Sequence, residues 1–214
     1  MSQVRPVIHI VDDDASFRTA VGRLVEASGF RVALYESGDK ILAVLPNFEP
    51  GCILLDLQLP GLSGLELQQH LVEKAPLLPI IYLTGQGDIK ASVMAMKAGA
   101  EDFLEKPVVG KTLLAAIERA LCQYEKRHVE QDRIHSLQVR VGSLTPREAQ
   151  VFDLIVRGKL NKQIAYVLGT SERTVKAHRH CVMEKLGVRS LAEAVLIAEK
   201  MGRLDPASNP SPYE

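Results

Sequence analysis

Residues 7–14 read Val-Ile-His-Ile-Val-Asp-Asp-Asp. Five residues rich in β-branched side chains suit a buried strand, and three carboxylates follow where such a strand would leave the core. Four more apolar runs recur at the spacing of a parallel α/β sheet: Arg31 to Tyr35, Cys52 to Asp56, Pro79 to Thr84 and Asp102 to Glu105. Amphipathic segments separate them, at Ala15 to Ser28, Ser37 to Leu45, Gly64 to Ala75, Lys90 to Ala98 and from about Gly110. Helix stops are expected at Gly29 and Gly99, each just past the last periodic residue. The expected fold is an α/β doubly wound, five-stranded parallel sheet, flavodoxin-like, with its site at the carboxyl ends of the strands. Asp12, Asp13 and Asp14, Asp56, Thr84 and Lys106 would all meet at that edge.

The 214 residues exceed one average domain, and 46% hydrophobic with 24% charged residues excludes a wholly disordered or collagen-like chain. The uncharged apolar stretch Ala75 to Thr84 is too short for a membrane span. With no apolar leader before Val7, the chain is expected in the cytosol. Cys52, Cys122 and Cys181 lack disulfide or zinc spacing and read as free thiols. The net charge of zero is uneven: −4 over residues 1–122, +1 over 123–143 and +3 over 144–214. Two modules with different partners are expected, the second partner polyanionic. The expected division is a first domain at 1–122, a helical linker at 123–143, an all-helical domain at 144–202 and a disordered tail at 203–214. A frayed tether through Arg140 to Ser143 is the alternative to a helical linker.

A hard cation such as Mg2+ takes oxygen ligands and keeps several positions for water or phosphate, so two neighbouring strand ends suffice to hold one. An aspartate so neutralised can attack a phosphoryl donor, while a lysine stabilises the transferred oxygens. The motifs Val-Asp-Asp-Asp at 11–14, Leu-Asp-Leu-Gln-Leu-Pro-Gly at 55–61, Leu-Thr-Gly-Gln-Gly-Asp at 83–88, Met-Lys-Ala-Gly-Ala at 96–100 and Glu-Lys-Pro at 105–107 resemble the receiver domain of two-component response regulators. The resemblance covers residues 5 to about 122. It implies Asp56 as phosphoacceptor, Asp12 and Asp13 as the acidic pair with Asp13 a direct ligand of Mg2+, and the Gln58 backbone carbonyl completing the metal shell. It further implies Thr84 and Lys106 as phosphate partners, Phe103 as the aromatic that switches with Thr84, and a cis Lys106–Pro107 bond.

Residues 144–148, Leu-Thr-Pro-Arg-Glu, carry an N-cap threonine, proline at the first helical position and glutamate for a capping box. Helices at Asn161 to Leu168 and Glu172 to Leu186, joined by Gly-Thr-Ser at 169–171, make a helix-turn-helix pattern. On the second, Val175, Val182 and Leu186 share one arc with His178 on its border, and Arg173, Lys176, Ala177, His180 and Glu184 lie opposite. With Gly-Lys-Leu-Asn-Lys-Gln-Ile-Ala at 158–165, Arg-Thr-Val-Lys-Ala-His at 173–178 and Glu-Lys-Leu-Gly-Val-Arg-Ser at 184–190, this segment resembles the LuxR-type effector domain. Receiver then effector is the order of the NarL/FixJ family, and the motifs are similar to its FixJ-like branch.

The resemblance implies a transcriptional regulator phosphorylated by a sensor histidine kinase, dimerising on phosphorylation, binding promoter DNA and working with RNA polymerase. Positions 176, 177 and 180 match the family's base readers, so Lys176 and His180 are the expected readers beside Ala177. Lys162, Arg173, Thr174, Arg179 and Lys185 are the expected phosphate contacts. Ala177 and His180 stand where the family often has Val and Lys, so the target sequence is not carried over. An enzyme of the haloacid-dehalogenase type also uses a strand-end aspartate, but it needs a second acid two residues on, where this chain has Gln58. A third reading is a DNA-binding regulator not governed by phosphate.

Overall fold

A computed structural model describes residues 5–44, 49–85 and 89–204. The chain divides into two compact units, Met1–Val129 and Glu130–Glu214.

The first unit is a five-stranded parallel sheet in the order β2-β1-β3-β4-β5. Its strands are β1 (Val7–Val11), β2 (Arg31–Tyr35), β3 (Gly51–Asp56), β4 (Ile80–Thr84) and β5 (Asp102–Glu105). Helices α1 (Ala15–Ala27), α2 (Gly38–Leu42), α3 (Gly64–Lys74), α4 (Ile89–Lys97) and α5 (Gly110–Gly142) alternate with them. Every residue of β1, β3 and β4 is buried, as a sheet covered on both faces requires. Val11, Ile53, Leu55 and Tyr82 line one face with α2 and α3, while Ile8, Ile10, Leu54 and Leu83 line the other with α1 and α5. Gly29 and Gly99 follow α1 and α4 with φ of 90° and 94°, a backbone that favours glycine.

Several boundaries differ from expectation, most by a single residue. Pro79 flanks β4 rather than opening it, because it has no N–H for the ladder; its carbonyl still accepts from the Ile53 N–H at 2.9 Å. Helix α2 ends at Leu42 with Ala43 as its cap, short of the expected Leu45, which lies outside the described residues. The expected disordered tail does not begin at 203: Arg203 Nη1 donates to Asp153 Oδ1 at 2.7 Å and Leu204 packs on the core of the second unit, while residues from 205 onward lie outside the described ones.

Helix α5 runs 33 residues without a break from Gly110 to Gly142. The division between the units falls within it, inside the expected linker.

The second unit holds α6 (Pro146–Val156), α7 (Asn161–Leu168), α8 (Glu172–Leu186) and α9 (Leu191–Lys200), with no strand among its described residues. Its caps follow the sequence. Thr145 caps α6 in a full capping box with Glu148, and the Ser171 hydroxyl accepts from the Thr174 N–H to start α8. Val175, Val182 and Leu186 are wholly buried, whereas Arg173, Lys176, Ala177, His180 and Glu184 are exposed. Among the described residues no helix is long and apolar enough to cross a membrane.

Candidate functional site

Three strand ends build the acidic pocket. Asp12 follows β1 and is 1% exposed, Asp13 points outward, and Asp56 closes β3 and is 7% exposed. One carboxylate oxygen from each lies within 4.8 Å of those of the other two. Lys106, just past β5, sends its Nζ to Asp12 Oδ2 at 2.6 Å and to Asp56 Oδ2 at 2.8 Å. The Lys106–Pro107 bond is cis, as expected. The Asp14 N–H donates to Asp12 Oδ1 at 2.9 Å and the Gln58 N–H to Asp56 Oδ1 at 3.1 Å. Asp14 itself is the N-cap of α1, accepting from the N–H groups of Ser16 and Phe17.

Burial lifts the Asp12 carboxyl above its ordinary value, against the pull of the Lys106 ammonium. For Lys106, burial opposes the charged form, but the hydrogen bonds it donates to Asp12 and Asp56 and their negative charge outweigh it and hold the ammonium above its usual range. A cation so placed offsets only part of the charge of three clustered carboxylates. This oxygen-rich, partly buried cluster fits a hard divalent cation.

Thr84 is buried at the end of β4, and its carbonyl accepts from the Lys106 N–H at 2.6 Å. Phe103 pairs across the β4–β5 ladder with Tyr82; the ring centroids are 6.3 Å apart, and Phe103 is only half buried.

On the second unit, Lys162, Arg173, Thr174, Lys176, Ala177 and His180 are all exposed. Three of the expected phosphate contacts also have internal partners. Arg179 donates from Nη1 to Asn161 Oδ1 at 3.0 Å, tying α8 to the start of α7. Lys185 Nζ lies 2.6 Å from Glu148 Oε2 and 3.3 Å from the Ser143 carbonyl. The Thr174 hydroxyl sits 2.9 Å from that of Ser171.

The chain matches the response regulator receiver domain over residues 8–118 and the luxR family of bacterial regulatory proteins over 142–198. It is 38% identical to the transcriptional regulatory protein FixJ of Bradyrhizobium diazoefficiens, across 92% of this chain and 97% of FixJ. This chain belongs to the NarL/FixJ family of response regulators. Another such relative is the response regulator protein TmoT of Ectopseudomonas mendocina, 39% identical over 94% of this chain and 91% of TmoT. Among solved structures, the response regulator StyR superposes with a TM-score of 0.80 at 43% identity, covering 92% of this chain and all of StyR. Full-length FixJ from B. japonicum gives 0.57 at 38% identity, covering 94% of this chain and 98% of FixJ. As a NarL/FixJ regulator, the chain carries a receiver and a LuxR-type DNA-binding domain.

Three contacts in this NarL/FixJ chain escaped the sequence reading. The Phe17 ring lies 4.3 Å from Lys106 Nζ. The Tyr82 hydroxyl, wholly buried, is 2.9 Å from the Gly64 carbonyl and 3.0 Å from Gln68 Oε1, and Gln68 Nε2 donates to the Ala95 carbonyl. Glu148, counted only as a capping residue, also holds Lys185. The position of Phe17, in the first turn of the helix that leaves the acidic strand end, was the one available signal.

The Lys185 hydrogen bond, followed by the Thr145 N–H, lowers the Glu148 pKa from 4.5 to about 2. A depressed carboxylate pKa stabilises the fold above the unfolded value, and that stability is lost as pH falls through the folded one. The melting temperature of Glu148→Gln should therefore lie below wild type at neutral pH, and the gap should close between about pH 4.5 and 2. Calorimetry across that range checks it; a gap constant with pH would refute the ion-pair assignment.

Proposed function

We propose that Asp56 accepts a phosphoryl group from a sensor histidine kinase and that this modification controls binding of the LuxR-type domain to promoter DNA. The observation that carries this reading is the Asp12, Asp13 and Asp56 cluster with the Lys106 ammonium seated on two of its members. A carboxylate oxygen of Asp56 attacks phosphorus, forming the P–O bond as the bond from phosphorus to the donor breaks. Lys106 turns from the carboxylates to the transferred oxygens, and the Thr84 hydroxyl donates to another. Asp12, Asp13, Asp56 and the Gln58 carbonyl would hold Mg2+, which when bound supplies positive charge to the phosphoryl oxygens. The chain is not an enzyme acting on an external substrate in this reading. Incubation with acetyl phosphate with and without Mg2+, followed by peptide mass mapping, tests the site: a Mg2+-dependent increment on the Asp56 peptide is expected, and an increment elsewhere would refute it.

Domains at 1–122 and 144–202 with a helical linker at 123–143 suit this division of labour, and the unbroken α5 supports the linker. Drawing Thr84 toward the phosphoryl group lets Phe103 follow, changing the surface of α4 and β5. Phosphorylation then drives homodimerisation through that surface. Sedimentation should show the mass doubling with acetyl phosphate and Mg2+; an unchanged mass would count against it. In this reading the chain works in the cytoplasm, where it would meet its kinase, promoter DNA and RNA polymerase.

Lys176 and His180 read bases beside Ala177, with Lys162, Arg173, Thr174, Arg179 and Lys185 on phosphates. The internal partners are compatible with this, since a guanidinium has five N–H donors and an ammonium three. Lys176→Ala should cost about 1–3 kcal/mol on the selected site and less on scrambled duplex. Arg179→Ala should weaken both alike and lower the salt slope by about one. Titrations of both duplexes at several salt concentrations decide it; equal losses for Lys176→Ala would remove Lys176 from the base readers.

A further inference from the structure

The Lys106 ammonium has a third contact besides its two carboxylates. Its Nζ lies 4.3 Å from the centroid of the Phe17 ring. The carboxylate oxygens of Asp12 and Asp56 take the ammonium at 2.6 and 2.8 Å. An aromatic face carries partial negative charge, so it attracts a cation without itself being charged, and more strongly as water is excluded. The Lys106 side chain is only 16% exposed. Phe17 is well anchored: its N–H donates to Asp14 Oδ1 at 3.1 Å, and its ring packs on the cluster formed by Ile8, Ile10 and Val21.

We propose that Phe17 is a positioning residue that holds the Lys106 ammonium in the pocket for phosphoryl transfer. This rests on the reading of Asp56 as phosphoacceptor. Lysine ends in a point charge on a flexible four-carbon stem and needs restraint to act at one place. Its carboxylate partner Asp56 is consumed by the reaction, because the oxygen that bonds phosphorus no longer carries the charge that held the ammonium. The ring takes no part in that bond and keeps its attraction throughout. It also demands no competing proton or metal. Held beside the ring, the ammonium has only a short shift to make from carboxylate to phosphoryl oxygen, so little reorientation remains as negative charge develops.

The experiment uses the full chain with acetyl phosphate and Mg2+, reading the pseudo-first-order rate of the Asp56 increment. Variants are Phe17→Leu, Phe17→Tyr and a series with one, two and three fluorines on the Phe17 ring, which drains its negative face while nearly keeping its shape. Thermal melting of each variant is measured alongside. Phe17→Leu should slow labelling about five- to thirty-fold, Phe17→Tyr should retain most of the rate, and the fluorinated series should slow stepwise at an unchanged melting temperature. A merely structural role would not follow the fluorine count. A second readout needs no reaction: in metal-free protein the Lys106 Hε protons should be shifted upfield by the ring current, and Phe17→Leu should abolish the shift. Equal rates across the fluorinated series, with wild type labelled normally, would overturn the proposal, as would Lys106 shifts indifferent to Phe17→Leu. No increment on Asp56 in wild type would instead overturn the phosphoacceptor reading, and the positioning role with it.

Discussion

Asp56→Asn should take up no phosphoryl group from acetyl phosphate, although its side chain keeps nearly the same shape. The amide oxygen is a poor nucleophile, and the substitution also removes the charge that Lys106 Nζ meets at 2.8 Å. Position explains why neither neighbouring acid should replace it. β3 lies between β1 and β4, so a group on Asp56 reaches the strand ends bearing both Asp12 and Thr84. Asp12 and Asp13 sit to one side, and Asp12 is almost wholly enclosed. Intact-mass spectrometry checks the loss; an increment of wild-type size would move the phosphoacceptor elsewhere.

The largest expected effect on stability belongs to Gly51→Ala. Gly51 opens β3 opposite Val7 of β1, and a Cβ built there would lie 1.8 Å from the Val7 carbonyl oxygen. That neighbour is backbone in the ladder between two central strands, so relief means parting β1 from β3. The cost should reach about 3 kcal/mol or more, above the usual range for overpacking because no side chain can turn away. Because β1 and β3 carry Asp12 and Asp56, the carboxylate cluster should loosen too. Urea denaturation followed by circular dichroism measures the first effect; a midpoint equal to wild type would show that this end of the sheet adapts freely. Gly64→Ala is a milder relative: its Cβ would meet the Asp56 carbonyl oxygen at 2.5 Å, displacing the loop behind the site more than the sheet.

Much of this architecture was legible because it depends on local pattern. Strand ends fall where apolar runs meet carboxylates, and the caps Thr145 and Ser171 stand where their hydroxyls meet the first turn. The buried arc of α8 follows from 100° per residue alone. Asp12 and Asp56 could be placed at one edge because parallel strands with right-handed crossovers put every strand's carboxyl end on the same side. The end of α2 was not legible, since Ala43 and Val44 are as compatible with a helix as with the turn they form. Nor were the pairings of Lys106 with Phe17 and Lys185 with Glu148, which join residues 89 and 37 apart. Their spacing in sequence says nothing of distance in space. Lys185 illustrates the consequence: a basic residue on a DNA-binding helix read as a phosphate contact, while the structure also ties it to the cap of α6.

The central claim is that the phosphoryl group on Asp56 controls DNA binding. Its most direct test is fluorescence anisotropy of full-length wild type and Asp56→Asn on a duplex selected from a random library by the phosphodonor-treated protein, each with and without acetyl phosphate and Mg2+. Coupling between two sites in one protein is typically five- to 150-fold, so the donor should tighten wild-type binding by about ten-fold or more and leave Asp56→Asn unchanged. Equal affinities in all four titrations would contradict the account.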